Sequence, residues 1–292
     1  MMCRLKPSVG GLHLVLTLAL AGALFLAPAE AQNRAERIVS VGGSVSEVIA
    51  ALGAADRLIA RDSTTNYPAS LLALPDVGYV RALSPEGVLS VGPDLVIAEA
   101  GAGPAEAVAV LQAAGVPYVA IPEDPSAQGV LAKIAAVASA IGLPEEGKAL
   151  AASVQDGFAR AAAQAATVTS PKKVLFVLSM QGGRIMAGGQ GTSAEGILHL
   201  AGATNAATGF EGYKQMTDEA VLAAAPDVIV MMDREGDHAM SDADLFAHPA
   251  LASSPAAVNG AVIRMDGMLL LGFGPRTPDA AMALNAALYG RG

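Results

Sequence analysis

Short apolar runs alternate with amphipathic stretches through most of the chain. Ile38-Val39-Ser40-Val41, after Arg37, predicts a buried strand. Val45, Val48, Ile49 and Leu52 then recur at helical spacing up to Gly53. Further strands are predicted over 58–60, 95–98 and 117–121, and helices over 85–89, 105–114 and 127–141. Strands separated by helices of this length predict βαβ units around a parallel sheet. A stretch with no strand follows, from Pro144 to about Ala166. It opens with proline at a first helical turn, places Glu145 and Glu146 at the positive helix N-terminus, and is then mostly alanine. One long helix is predicted there. The alternation then restarts, with strands over 173–178, 226–231 and 261–265 and helices over 192–200, 243–251 and 277–288.

The two alternating regions repeat one another. Glu86 to Ile97 reads EGVLSVGPDLVI and Glu219 to Val230 reads EAVLAAAPDVIV, at an offset of 133. Gly78-Tyr79 precedes the first copy and Gly212-Tyr213 the second. Residues 47–53 likewise resemble 195–202. Repetition in one order predicts two similar α/β lobes with central sheets, a long helix between them and a ligand cleft where they meet. The expected division is a first lobe over 32–143, an inter-lobe helix over 144–169 and a second lobe over 170–292.

Residues 1–31 are expected to be removed. Arg4 and Lys6 form a positive start, Leu14 to Ala27 is apolar, and Ala29-Glu30-Ala31 fits a cleavage site, which together describe a signal peptide. The apolar run is shorter than the ~20 residues of a spanning helix. Cys3, the one cysteine, precedes that run, so the mature chain carries no disulfide, thiolate metal site or cysteine nucleophile. Taking Arg4, Lys6 and Glu30 from 18 basic and 27 acidic residues leaves 16 and 26, a net charge of −10. That balance gives no reason to bind nucleic acid or an anionic membrane. The expected location is a bacterial periplasm.

Chemistry-bearing residues are few. Aromatic residues make up 4% of the chain and tryptophan is absent, so each tyrosine counts. Tyr67, Tyr79 and Tyr213 fall in loops, whereas Tyr118 and Tyr289 fall in strand and helix patterns. His199 lies in a helix, where a partly buried structural role is expected. His248 precedes Pro249 in a turn, and His238 lies in the polar loop from Asp233 to Asp242. Arg234 stands just beyond a strand end, where ligand loops of α/β sheets sit. The Gly188-Gly189-Gln190-Gly191-Thr192 run is assigned to turn geometry rather than to anion binding. Ser179, His199 and Asp233 could be imagined as a hydrolase set, but no G-x-S-x-G elbow or H-E-x-x-H pair is present, so no enzymatic activity is expected.

Asp76-Val77-Gly78-Tyr79-Val80-Arg81-Ala82-Leu83-Ser84-Pro85-Glu86-Gly87 and Gly272-Phe273-Gly274-Pro275-Arg276-Thr277-Pro278 resemble the haemin-binding periplasmic proteins of bacterial ABC importers. The wider pattern is similar to vitamin B12- and siderophore-binding periplasmic proteins. The resemblance implies a class III periplasmic binding protein that captures haemin and delivers it, as a monomer, to an inner-membrane ABC permease. An outer-membrane haem receptor system would act upstream. Tyr79 matches the family's axial tyrosine on ferric haem iron. Arg81, two residues on, is the expected hydrogen-bond partner of the phenolate. Arg234, Arg184 and Arg276 are candidates for the propionates, Tyr213 and Tyr67 for the cleft walls, and His238 for a second-lobe ligand. The resemblance also implies that Glu86 and Glu219 dock on the two permease subunits. The same fold carrying a ferric siderophore or a corrinoid is the alternative.

Overall fold

A computed structural model describes residues 34–233 and 240–290. The expected signal peptide, Arg234 and His238 lie outside the described residues. The first half runs β1 (Ile38–Val41), α1 (Gly43–Ala51), β2 (Leu58–Arg61), α2 (Pro85–Ser90), β3 (Leu95–Glu99), α3 (Ala105–Ala113), β4 (Tyr118–Ile121) and α4 (Ala127–Ala140). Its four strands form one parallel sheet in the order β2-β1-β3-β4. Helix α5 (Pro144–Ala165) is the long helix predicted from the alanine-rich stretch.

The second half runs β5 (Lys173–Gln181), β6 (Arg184–Gly188), α6 (Ser193–Leu200), β7 (Thr204–Asn205), β8 (Tyr213–Gln215), α7 (Asp218–Ala224) and β9 (Val228–Met232). It continues with α8 (Asp242–Phe246), α9 (Pro249–Ala252), α10 (Pro255–Asn259), β10 (Val262–Met265), α11 (Gly267–Leu271) and α12 (Thr277–Tyr289). Its sheet has the order β10-β9-β5-β6-β8, and β7 pairs with the start of β5. The parallel set β7-β5-β9-β10 reproduces β2-β1-β3-β4, and β9 lies 133 residues after β3 at both ends. The second lobe differs by the antiparallel strands β6 and β8, which the hydrophobic pattern did not announce. The helix expected over 243–251 is two helices, because Pro249 has no N–H and His248 caps the second one through Ala250 N–H.

Side-chain alternation explains the layers. In the first sheet Ile38, Leu95 and Ile97 face one way and Val39, Val96 and Ala98 the other. In the second, Val174, Phe176, Val228 and Val230 oppose Leu175, Val177, Ile229 and Met231. The first set from each sheet joins one continuous core with α1, α4, α5, α6 and α12. The outer faces have separate, smaller cores. Helix α5 packs on α4 of the first lobe and on α12 and α6 of the second. Gly147 lies against Ala138 and Gly157 against Pro278, each too close for a Cβ on the glycine. The carboxyl ends of the parallel strands and the loops after them are left to build the cleft.

Candidate functional site

Tyr79 stands on a loop that is held from three sides. Gly78 donates its N–H to Asp76 Oδ1, and Asp76 is paired with Arg61 at 3.0 Å. Ser63 N–H reaches Gly78 carbonyl, and Gly103 N–H reaches Val80 carbonyl. Val77, Val80 and Leu83 are buried anchors, yet Tyr79 between them is 49% exposed. Gly78 has φ 104° and Gly212, its counterpart, φ 75°, conformations that favour glycine. The repeated Gly-Tyr pair is therefore a repeated backbone turn. Among the described residues the Tyr79 hydroxyl takes no hydrogen bond.

Arg81 does not hold that hydroxyl here. Its Nη1 donates to Gly101 carbonyl at 3.0 Å, and its charge acts on Tyr213 of the other lobe. The loop bearing Arg81 and the start of β8 thus approach one another. Tyr213 packs edge-on against buried Phe176, with ring centroids 6.4 Å apart. Its phenol is pushed above the ordinary value by burial, and the Ala194 backbone, Thr192 and Arg81 pull in the opposite direction.

The other predicted positions divide. Arg276 is committed to a tie: Nη2 binds Glu47 Oε2 at 2.8 Å and the guanidinium lies 3.6 Å over the Tyr67 ring. The guanidinium offered for a propionate is consumed there by Glu47, because α1 and the start of α12 meet at this point. Tyr67 is likewise part of that tie. Arg184 is exposed at the β5–β6 turn, with a 3.5 Å bond to Gln215. His199 is exposed rather than partly buried. His248 is buried and bonds Gly183 carbonyl through Nε2 at 2.8 Å, which fastens α9 to the β5–β6 turn. The glycine run before α6 spends its polar groups locally, Thr192 accepting from Glu195 N–H and Gly191 N–H reaching Glu195 Oε2.

A cavity of about 300 Å³ opens between the lobes. Glu123, Asp124, Pro125 and Lys133 line it from the first, and Thr192, Tyr213 and Phe273 from the second. Behind its wall lies a polar chain that sequence reasoning missed. Lys133, only 2% exposed, donates to Gly272 carbonyl at 3.2 Å and to Ser44 Oγ at 2.7 Å. Ser44 Oγ donates to Glu99 Oε1 at 2.5 Å. Burial pushes the Glu99 carboxyl up to about 7, against the pull of Lys133 and with the help of Glu123. The signal was present: Lys133 sits on the apolar stripe of Val130, Ile134 and Val137, and Glu99 closes an otherwise apolar strand.

Glu86 and Glu219 occupy the same place in their helices. Each is the second residue after a hydroxyl cap, Ser84 accepting from Gly87 N–H and Thr217 from Ala220 N–H. Buried Val88 and Val221 anchor the two helices from beneath. Both glutamates are exposed, and hydrogen bonds from its own N–H and from Thr217 hold the Glu219 carboxyl below its ordinary value.

Residues 38–269 match the periplasmic binding protein family. The chain belongs to that family. As a periplasmic binding protein it is a substrate carrier rather than an enzyme. Its fold is similar to that of the periplasmic heme-binding protein BhuT, solved in complex with two hemes, with a TM-score of 0.82. Identity to BhuT is 39%, and the match covers 86% of this chain and 97% of that one. RhuT from Roseiflexus sp. RS-1, a periplasmic heme-binding protein in apo form, gives 38% identity, a TM-score of 0.84 and coverage of 87% and 98%. An uncharacterized ABC transporter substrate-binding lipoprotein of Bacillus subtilis, YvrC, is 26% identical over 257 residues, 87% of this chain and 80% of its own.

Proposed function

We propose that this binding protein captures haemin in the periplasm and delivers it to an inner-membrane ABC permease. Tyr79 binds the ferric iron and Glu86 and Glu219 dock on the permease. The observation that carries the reading is the half-exposed Tyr79 with a free hydroxyl, held on a glycine turn, in a chain similar over nearly its whole length to solved heme-binding proteins. A phenol titrates near pH 10 in water, so iron must displace its proton to make the stronger phenolate ligand. Tyrosine is an established axial ligand of haem iron. The hard phenolate favours the ferric state and cancels the net positive charge of the ferric porphyrin core. Arg81 can leave Gly101 carbonyl and stabilise the phenolate once it forms. The propionates fall to Arg184, whose bond to Gln215 is long, and to Arg234 beyond β9.

Titrating the purified protein with haemin tests the reading. A saturable Soret band is expected, and Tyr79→Ala should shift it to that of weakly held haemin. Parallel titrations with cobalamin and a ferric siderophore should give no saturable change. Saturation by either of those, with none by haemin, would replace the ligand while keeping the fold.

A further inference from the structure

Glu99 and Glu123 lie close together at the carboxyl ends of β3 and β4. Glu99 pairs with Ile121 across the β3–β4 ladder. Ile97 and Ile121 both face the shared core, so Glu99, two residues after Ile97, continues that face, and Glu123 follows just past the end of β4 close to Glu99. Around Glu99 stand Ser44 from α1, Lys133 from α4 and Glu123 from the loop after β4. Gly42, after β1, passes so close that any Cβ there would overlap the Glu99 carboxyl. Beyond Glu123 are Asp124, which accepts from Ser126 Oγ, and Tyr213, which in turn faces Arg81. Glu99 is 9% exposed, whereas Glu123 is exposed on the cavity wall. Its counterpart at an offset of 133 is Met232, so the second lobe has no carboxyl at this place.

We propose that Glu99 is a proton-holding residue of the ligand site, donating its proton to Glu123, and that haemin capture draws further protons from solvent onto it. Lys133 reaches Glu99 only through Ser44, its own bonds going to Ser44 and Gly272, so its charge offsets the burial of Glu99 only in part. The burial that pushes Glu99 up to about 7 leaves it part-protonated in the free protein. Seating haemin against Glu123 and Tyr213 removes water from the wall. That change disfavours the ionised carboxyl, so its proton occupancy rises. At Glu99 itself only an O–H bond forms, and its proton comes from water or buffer, while the proton that iron displaces from Tyr79 goes to solvent and is common to the unmodified protein and both variants. Glu99 touches no ligand in this account. It acts through Glu123, as a positioning residue for the charge of the wall.

The inference rests on the haemin reading above, and two measurements separate them. Calorimetric titration with haemin in buffers of different ionisation enthalpy counts protons. Relative to Glu99→Gln and Glu123→Gln, the unmodified protein should take up more, on the order of half a proton per haemin at pH 7. Equal counts in all three, with the Soret band intact, would overturn the proposal. The second measurement needs no ligand. Infrared spectra of the apo protein should show a buried carboxylic-acid C=O band that disappears as pH passes through neutrality and is missing in Glu99→Gln. A missing band in the unmodified protein refutes the proton-holding role itself. A titrating band in a protein that gives no Soret complex would retain that role and reject haemin as its ligand.

Discussion

Tyr79 and Glu99 show how far single residues can be read. The turn that presents Tyr79 was legible because its neighbourhood is repeated: a Gly-Tyr pair before a capped Glu helix occurs twice, and only the first copy carries an arginine two residues on. Glu99 was hidden because its partners, Ser44 and Lys133, lie 55 and 34 residues away in sequence and meet only through packing of α1 and α4 on β3. Burial at Glu99 has a consequence for stability that can be signed. The unfolded chain ionises this carboxyl at about 4.5 and the native one at about 7. Between those values the native state binds more protons than the unfolded state, so stability falls as pH rises and levels off above the upper value. At about 1.4 kcal/mol per pH unit the fall amounts to about 3 kcal/mol. Urea unfolding of the unmodified protein and of Glu99→Gln from pH 4.5 to pH 8 should differ by this slope. Parallel curves would show that Glu99 ionises normally.

At the scale of elements, α2 and α7 are the clearest product of the sequence. Hydroxyl cap, glutamate at the second helical position and valine beneath recur in both, and each serves a physical need at a helix start. Strands β6 and β8 were not legible. Arg184–Gly188 follows two glycines, ends in glycine and has no polar residue between its apolar ones, and β8 has three exposed residues, so neither sequence shows the apolar–polar alternation that marks a strand. The capped helices yield a prediction with two separable readouts. Ser84→Ala and Thr217→Ala should each cost about 1 kcal/mol of stability through a lost N-cap. Glu86→Ala and Glu219→Ala should leave haemin affinity unchanged and, together, abolish haemin uptake by vesicles holding the reconstituted permease. Undiminished uptake by the double variant would restrict these glutamates to helix-end electrostatics.

For the whole molecule, the fold argues that the lobes move little. Their inner sheet faces share one apolar core with α4, α5 and α12, so a wide hinge would have to open buried surface. Polar ties reinforce one side of the cleft floor: Arg276 to Glu47 and Tyr67, and Asn66 Nδ2 to Asp266 at 2.7 Å. Those ties follow β1 and β2, whereas the cavity follows β4, at the opposite edge of the first sheet. Lys133 to Gly272 carbonyl adds a tie beside the cavity, so the lobes are fastened on both sides and the Arg276 tie is one restraint among several. Arg276→Ala would take the guanidinium from buried Glu47 and leave it the backbone N–H of residue 276, a loss of about 2 kcal/mol. It should also loosen that side of the cleft. With Cys3 expected to be absent from the mature chain, spin labels on cysteines placed at 86 and 219 would report the lobe separation directly. The unmodified protein should give one narrow distance distribution that changes little on adding haemin, and Arg276→Ala should broaden it. A broad distribution in the unmodified apo protein would mean that the shared core does not hold the lobes together. An unchanged narrow one in Arg276→Ala would mean that the core alone suffices and that the Arg276 tie shapes the cleft wall without restraining it.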